Sequence, residues 1–356
     1  MEKKMIFKKA IMTYISLTAL SIFSLSVNAR DNIEIVGSST VFPFSTVVAE
    51  TYGNKTRMPT PKIEATGTGG GMKLFCKGHG LDTPDVTNAS RRIKKSEFDL
   101  CQKNGVKNIT EVLVGFDGIA IANELNGPDF NSLTLRSLYL GLAAKVPASV
   151  KGGSDSEIIN NPFKNWSEID SKLPNVAIKV LGPPPTSGTR DALQELGIEG
   201  GCKTFPQMKA MKKTDSKLYK TLCRTVREDG HYVEMGENDN LIISKLTNEA
   251  TTLGVFGFSF LDQNSDKVKG SNIDGNPITF ENIATGAYPV SRPLYFYVKN
   301  DHRDSIKGLN EFINEFVSDD AMGEEGYLLD KGLIPAPEEE RAKTVNNARN
   351  AVPLQL

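Results

Sequence analysis

Apolar positions along this chain fall into two alternating rhythms, short runs with strand-like spacing and longer ones with helical spacing. NIEIVG (32–37) reads as a strand and PFSTVVAETYG (43–53) as the helix that follows it; PKIEATG (61–67) and GGMKLFC (70–76) repeat the order. EVLVGFDGIAIA (111–122) is a long apolar strand-like run, followed by a helical pattern around SLTLRSLYLGLAAK (132–145). AIKVLG (177–182) then leads through PPPTSGT into a helical RDALQELG (190–197). Further on, DNLIISKLTNE (239–249) is helical, TLGVFGFSFL (252–261) and SRPLYFYVK (291–299) are strand-like, and SIKGLNEFINEFVS (305–318) is helical again. Strands alternating with helices predict an α/β architecture. No internal repeat interrupts the pattern, and the tail from Pro335 is rich in proline and charge before a short helix from Arg341 to Asn350.

The N-terminus stands apart from this pattern. Lys3, Lys4, Lys8 and Lys9 precede an apolar run from Ile11 to Leu25, and Val27-Asn28-Ala29 supplies small residues suited to signal-peptidase cleavage. Residues 1–29 therefore read as a secretory signal peptide, an uncleaved anchor being the lesser reading. Removing them lowers Lys+Arg from 42 to 38 and Asp+Glu from 43 to 42, a net charge near −4. That sign is wrong for a general nucleic-acid binder, which needs a basic face. Roughly 327 remaining residues exceed one comfortable core, so two domains are expected. Cys76, Cys101, Cys202 and Cys223 are even in number, and an oxidising compartment favours pairing them. Of the three connectivities, the local loops Cys76 to Cys101 and Cys202 to Cys223 need the least chain rearrangement. Zinc is the weaker alternative, with no CxxC spacing and only three histidines; no metal and no cofactor is expected.

Three turns carry the candidate chemistry, each where a strand hands over to a helix: GSSTVFP (37–43), ATGTGGGMK (65–73) and PPPTSGTRDAL (183–193). A helix N-terminus leaves its first N–H groups unpaired and partly positive, so anions dock there. Glycines let the backbone approach closely, and hydroxyls add donors that rotate to fit. Ser39 or Thr40 taken alone is more often an ordinary N-cap, and GTGGG alone more often a flexible turn; three such turns in one chain are harder to dismiss. In TNASRRIKK (87–95), Arg91 can fork onto an oxyanion or make a surface salt bridge, while Arg92, Lys94 and Lys95 form a solvated charge run. Arg190, the second candidate cation, has Asp191 and Glu195 on its own helix as ordinary partners.

On these motifs, in this order, with LGVFGFSFL and YPVSRPLYFYVK completing them over nearly the whole exported chain, the sequence resembles the periplasmic phosphate-binding proteins of high-affinity phosphate ABC importers. The resemblance implies a type II periplasmic binding protein fold: two α/β lobes joined by a hinge and closing on one oxyanion. Residues 30–115 with 292–356 would form the first lobe, and residues 116–291 the second. It implies donors at Ser39, Thr40 and the backbone N–H of Val41, at Thr68, at Ser90 and Arg91, and at Ser187, Gly188 and Thr189. It also implies a monomer in the periplasm that delivers inorganic phosphate to an inner-membrane permease, without nucleic acid.

Two departures from the family matter. The best-known branch has aspartate at Ser90 and an arginine where Pro183 to Pro185 stand, so Arg190 or Arg91 would compensate the lost cation. Phosphate keeps a proton at neutral pH and sulfate keeps none, so a carboxylate acceptor separates them. Asp117 in VGFDGIAIA is the candidate, because a carboxylate inside an apolar strand is costly without a task or a partner; a partner such as Arg91 or Arg190 explains it equally. Another oxyanion, sulfate, molybdate or tungstate, is the competing ligand. A serine hydrolase is the lesser alternative: His79, His231 and His302 lie in no recognisable signature, and no GxSxG elbow is present. GENDN (236–240) reads as a helix cap, Trp166 as a core residue, and KTFPQMKAMKKTDSKLYKTLC (203–223) as a solvated basic helix.

Overall fold

A computed structural model describes residues 30, 32–236 and 238–356; the leader-like residues 1–29 lie outside the described residues. Eleven strands follow in chain order among the described residues: β1 (Glu34–Gly37), β2 (Lys62–Ala65), β3 (Val86–Ala89), β4 (Ile109–Glu124), β5 (Lys145–Pro147), β6 (Ile158–Asn160), β7 (Val180–Gly182), β8 (Tyr232–Glu234), β9 (Leu253–Gly257), β10 (Val268–Gly270) and β11 (Ser291–Lys299). Nine share one sheet, ordered β2-β1-β3-β11-β4-β9-β7-β8 with β10 on β4, while β5 and β6 pair apart. The helices needed below are α1 (Phe42–Thr56), α2 (Thr68–Phe75), α3 (Lys95–Lys103), α4 (Leu135–Leu142) and α5 (Gly188–Ala192).

The architecture is α/β with two lobes, and β4 explains how one sheet serves both. From Ile109 to Gly118 it pairs antiparallel with β11, and from Ile119 to Ala122 with β9. On one side, β1 is parallel to β2 and β3; on the other, β7 is parallel to β8 and β9. Parallel neighbours need helical crossovers, which cover the sheet faces and exclude water from them. The two largest cores gather Val48, Tyr52, Val112, Phe296, Phe312 and Phe316, and Ile121, Tyr139, Trp166, Val180, Leu193 and Leu253; smaller clusters form around Met72 and Phe75 and around Ile242 and Phe256. The C-terminal segment closes the junction: Phe116 N donates to Ile334 O (2.7 Å) and Ile334 N to Phe116 O (3.0 Å). A Cβ at Gly115 would stand 2.5 Å from Ile334 O, so the tail can lie on β4 only because glycine is there. Among the described residues no helix is long and apolar enough to cross a membrane.

Three elements differ from their sequence patterns. FSFL does not continue β9; Phe258–Gln263 is a helix, because β9 stops at Gly257, whose N–H donates to the Asp239 carboxylate (3.2 Å). Strand β3 escapes the pattern because Thr87 and Asn88 are fully buried polar residues in its middle. The basic segment is two helices, Pro206–Thr214 and Ser216–Arg224, broken at Asp215, whose carboxylate caps the second by accepting from Leu218 N (2.9 Å). The cap of Asp239–Leu246 is Asn238, accepting from Asn240 N. Trp166 is wholly buried in the second core, edge-on to Phe130.

Disulfides join Cys76 to Cys101 and Cys202 to Cys223. The second closes a loop around the buried Glu199 carboxylate, which meets Arg224 Nε (2.6 Å), Lys203 (3.2 Å), Lys212 (3.2 Å) and the Tyr219 hydroxyl (3.1 Å). Burial alone would push this carboxyl up, but Arg224 and Lys203 outweigh it and hold the group at about 2, below its ordinary 4.5. Its contribution, about 3 kcal/mol, is complete above the ordinary value and disappears as pH falls through it toward about 2. Urea midpoints measured across that window should fall steeply for the wild type, whereas Glu199→Gln should start lower at neutral pH and follow a flatter line.

Candidate anion-binding site

Each of the three hydroxyl-rich turns sits at a helix N-terminus, held by close backbone packing. β1 ends at Gly37, where a Cβ would lie 2.2 Å from Asn88 O; a Cβ at Gly71 would lie 2.5 Å from Gly37 Cα. Only glycines let α2, β1 and β3 converge so closely. Ser38 N donates to Asn88 O (2.9 Å) and Phe42 N to Ser38 O (3.1 Å), which presents Ser39, Thr40 and Val41 at the entrance to α1. Pro43 in the first turn of α1 suits positions where no intrahelical donor is needed.

The glycine-rich turn delivers Thr68, first residue of α2, to the end of β3. Ser90 N donates to Thr68 Oγ1 (3.1 Å), and the two hydroxyls lie 3.1 Å apart. In the other lobe, Ser187 caps α5 by accepting from Thr189 N (3.2 Å). The helical run then continues through wide turns, Leu193–Ile198, to Cys202. The turns of the two lobes meet: a Cβ on Gly188 would stand 3.0 Å from Thr40 Cα, and the Ser39 hydroxyl donates to the Asp191 carboxylate.

Of the two cations singled out from the sequence, neither is directed at this meeting point. Arg91 forks onto Glu97 (2.9 and 2.7 Å), a salt bridge that raises the guanidinium pKa and so occupies the two N–H bonds expected for an oxyanion. Arg190 is buried with Nη1 donating to Pro183 O (3.2 Å), its plane over the Tyr232 ring (4.2 Å) and Glu234 at 3.5 Å. The partners expected for it on its own helix, Asp191 and Glu195, instead meet Ser39 and two other arginines. Asp117 does have an arginine partner, but it is Arg292, directly opposite on β11.

Arg292 is the residue that reading the sequence missed. Its guanidinium, 5% exposed, reaches Asp117 Oδ2 (3.4 Å) through Nε, Glu195 Oε2 (3.2 Å) through Nη1 and the Thr40 hydroxyl through Nη2. One cation thus touches the first turn, the crossing strand and the helix behind the third turn. The signal was available: Arg292 is the one charge between Val290 and Lys299, and the cost of burying an unpaired charge applies to it as to Asp117. Burial pushes the Asp117 carboxyl up, and Arg292 pulls it only part of the way back. Asp117 Oδ1 makes no hydrogen bond to any described residue. The structure thus brings Ser39, Thr40, Gly188, Arg292 and Asp117 together, while Thr68 and Ser90 are shown only with each other.

The family model described as the PBP superfamily domain matches residues 26–320. The chain is 29% identical over 338 residues to protein SphX of Synechococcus elongatus, covering 93% of this chain and 86% of that protein. It is 26% identical over 309 residues to the phosphate-binding protein PstS of Staphylococcus saprophyticus, covering 85% and 80%. Among solved structures, the possible phosphate binding protein of Planctomyces limnophilus DSM 3776 superposes with a TM-score of 0.69 at 24% identity, covering 90% of this chain and 98% of that one. The ABC-type phosphate transport receptor of Vibrio cholerae superposes at 0.53 with 21% identity, covering 85% and 99%. These likenesses show a shared fold.

Removing one partner of a buried ion pair strands the other, at a cost of about 3–5 kcal/mol. Arg292→Met should therefore lower stability by that order in urea unfolding. Adding Asp117→Asn to it should restore part of the loss, since the stranded charge is then gone; an additive double variant would mean that the two residues are not coupled.

Proposed function

The chain belongs to the PBP superfamily, and from that premise we propose that it is an extracytoplasmic solute-binding protein that captures inorganic phosphate between two lobes and delivers it to an ABC permease. The observation that carries this reading is the meeting of the donor turns of both lobes, Gly188 against Thr40, beside the buried Arg292. Ser39, Thr40, Val41 N–H, Thr68 and Ser90 supply donors from one lobe, and Ser187, Gly188 and Thr189 from the other. Arg292 supplies the cation in place of Arg91, and Arg190 supports the third turn from behind. The printed name of the staphylococcal relative, a phosphate-binding protein, agrees with this ligand.

The energetics suffice without a metal. Charge-assisted hydrogen bonds contribute about 1.5–3 kcal/mol each, and micromolar affinity requires only about 8 kcal/mol. The surplus offsets desolvating the anion and closing the lobes. Closure then presents a changed surface that a permease can distinguish from the open form. A periplasmic monomer fits this cycle.

Binding without catalysis is supported by where the histidines are. His302 lies buried between the Asp85 carboxylate (2.6 Å) and His79 O (3.0 Å), His231 Nδ1 lies 2.6 Å from Ile178 O, and His79 is exposed. No serine of the donor turns hydrogen-bonds an imidazole among the described residues; Ser39 donates to the Asp191 carboxylate, Ser90 pairs with Thr68, and Ser187 caps its own helix. Selectivity is assigned to Asp117: its Oδ1 accepts the proton that phosphate keeps and repels sulfate, which has none to give.

Calorimetric titration of the anion-stripped protein at neutral pH should give one-site phosphate binding at micromolar or tighter Kd, with sulfate silent. Thr189→Ala and Ser90→Ala should each weaken phosphate by about tenfold, the loss of one charge-assisted bond. Asp117→Asn should narrow the preference for phosphate over sulfate at least tenfold. Tighter sulfate or molybdate binding would keep the site and change the ligand; silence toward all three would remove the reading.

A further inference from the structure

Away from the cleft, the second lobe carries a helical hairpin, Pro206–Thr214 and Ser216–Arg224, whose base is closed by Cys202–Cys223. Between Lys203 and Arg224 the chain holds seven basic side chains and a single acid, Asp215, although its overall formal charge is −1. Three of the seven are committed inward: Lys203, Lys212 and Arg224 all pair with Glu199. The other four, Lys209, Lys213, Lys217 and Lys220, are exposed and make no ion pair with any described residue.

The arrangement on each helix separates the two groups. Met208 in the first helix and Tyr219 and Cys223 in the second are buried, which turns Lys209 and Lys213, four residues apart, and Lys217 and Lys220, three apart, toward solvent. Leu218, 45% exposed, stands among these lysines. Acidic side chains gather elsewhere: Asp319, Asp320, Glu324, Glu325 and Glu338 line a groove with Arg341 and Arg349 of the C-terminal helix.

We propose that the stapled hairpin is a peripheral docking surface for an anionic phospholipid bilayer, approached with the second lobe foremost. Four unpaired lysines meet no local carboxylate, so their field is available to an external anionic surface. Lysine ammonium groups are compact point charges on flexible stems, suited to a diffuse layer of headgroups rather than to planar bidentate recognition, where arginine would serve. Leu218 adds an apolar side chain that can enter the headgroup boundary. Each lysine near such a surface strengthens attachment about fivefold, so the four together strengthen it by several hundred-fold at low salt. Screening weakens this steeply as salt rises. Binding of this strength is reversible, and it would hold the receptor near a membrane-embedded partner without consuming the cleft.

The test is co-sedimentation of the purified exported protein with vesicles of phosphatidylcholine alone or mixed with phosphatidylglycerol, at low and high salt. The expected result is attachment to the mixed vesicles only, released by salt. The variant Lys209→Glu, Lys213→Glu, Lys217→Glu, Lys220→Glu should lose at least a hundredfold in attachment while its phosphate titration matches the wild type, which separates this proposal from the ligand reading. The four-fold Lys→Gln variant should give an intermediate loss, and it serves should the glutamate variant fold poorly. Wild-type indifference to phosphatidylglycerol, or full attachment by both variants, would overturn the proposal; the first outcome would leave the hairpin to an acidic protein face.

Discussion

The interaction on which the rest depends is the buried ion pair of Arg292 with Asp117, on adjacent positions of β11 and β4. A guanidinium so deeply buried must satisfy its donors within the protein. It does so by drawing in groups from the whole cleft: Asp117 from the crossing strand, Thr40 from the first turn and Glu195 from the second lobe. The requirement to pair one charge thereby ties the first turn to the crossing strand and to the helix that follows the third turn. The same arrangement sets a cation beside the proposed phosphate site, and Asp117 Oδ1 makes no hydrogen bond to any described residue.

That pair can stand in the middle of the molecule because β4 is long and changes partner midway. Its first half belongs to the sheet with β11 and its second half to the sheet with β9, and glycines at 115 and 118 admit close neighbours where the change occurs. The C-terminal segment adds a further tie there, with Leu333 packed in one core and Ile334 in the other. A junction of a few strands permits relative movement of two cores that are each firmly packed, which is what a closing receptor needs.

Charge also links the cleft to the surface. Glu195 meets Arg292 with one oxygen and Arg224 with the other, and Arg224 continues to Glu199, Lys203 and Lys212 at the foot of the basic hairpin. Every member of this chain is paired, so the hairpin's inner face is fixed while its outer lysines remain available. The division of labour among seven basic side chains comes from one buried carboxylate, Glu199, which claims three of them.

Local physics made much of this legible from sequence. Strand-to-helix turns rich in glycine and hydroxyls announce themselves because backbone geometry and capping act over a few residues, and GSSTVFP, ATGTGGGMK and PPPTSGT all lie at helix N-termini. The two disulfides were legible because their cysteines are close in sequence. Strand β3 was hidden by its buried Thr87 and Asn88, and the end of β9 by a carboxylate 18 residues away. Pairing of charges was the least legible of all. Arg91 could be seen as a salt-bridge residue, but that Glu97 would take it, that Arg190 would turn to Pro183 and Tyr232, and that Asp117 would meet an arginine 175 positions later depended on which strands lie side by side. The sequence by itself determined most of the alternating elements and the hydroxyl-rich turns, because these follow from periodicity and short-range chemistry, while the family was legible through the resemblance of its motifs. Only the tertiary structure decided which arginine Asp117 meets, because a buried charge chooses its partner by distance in space.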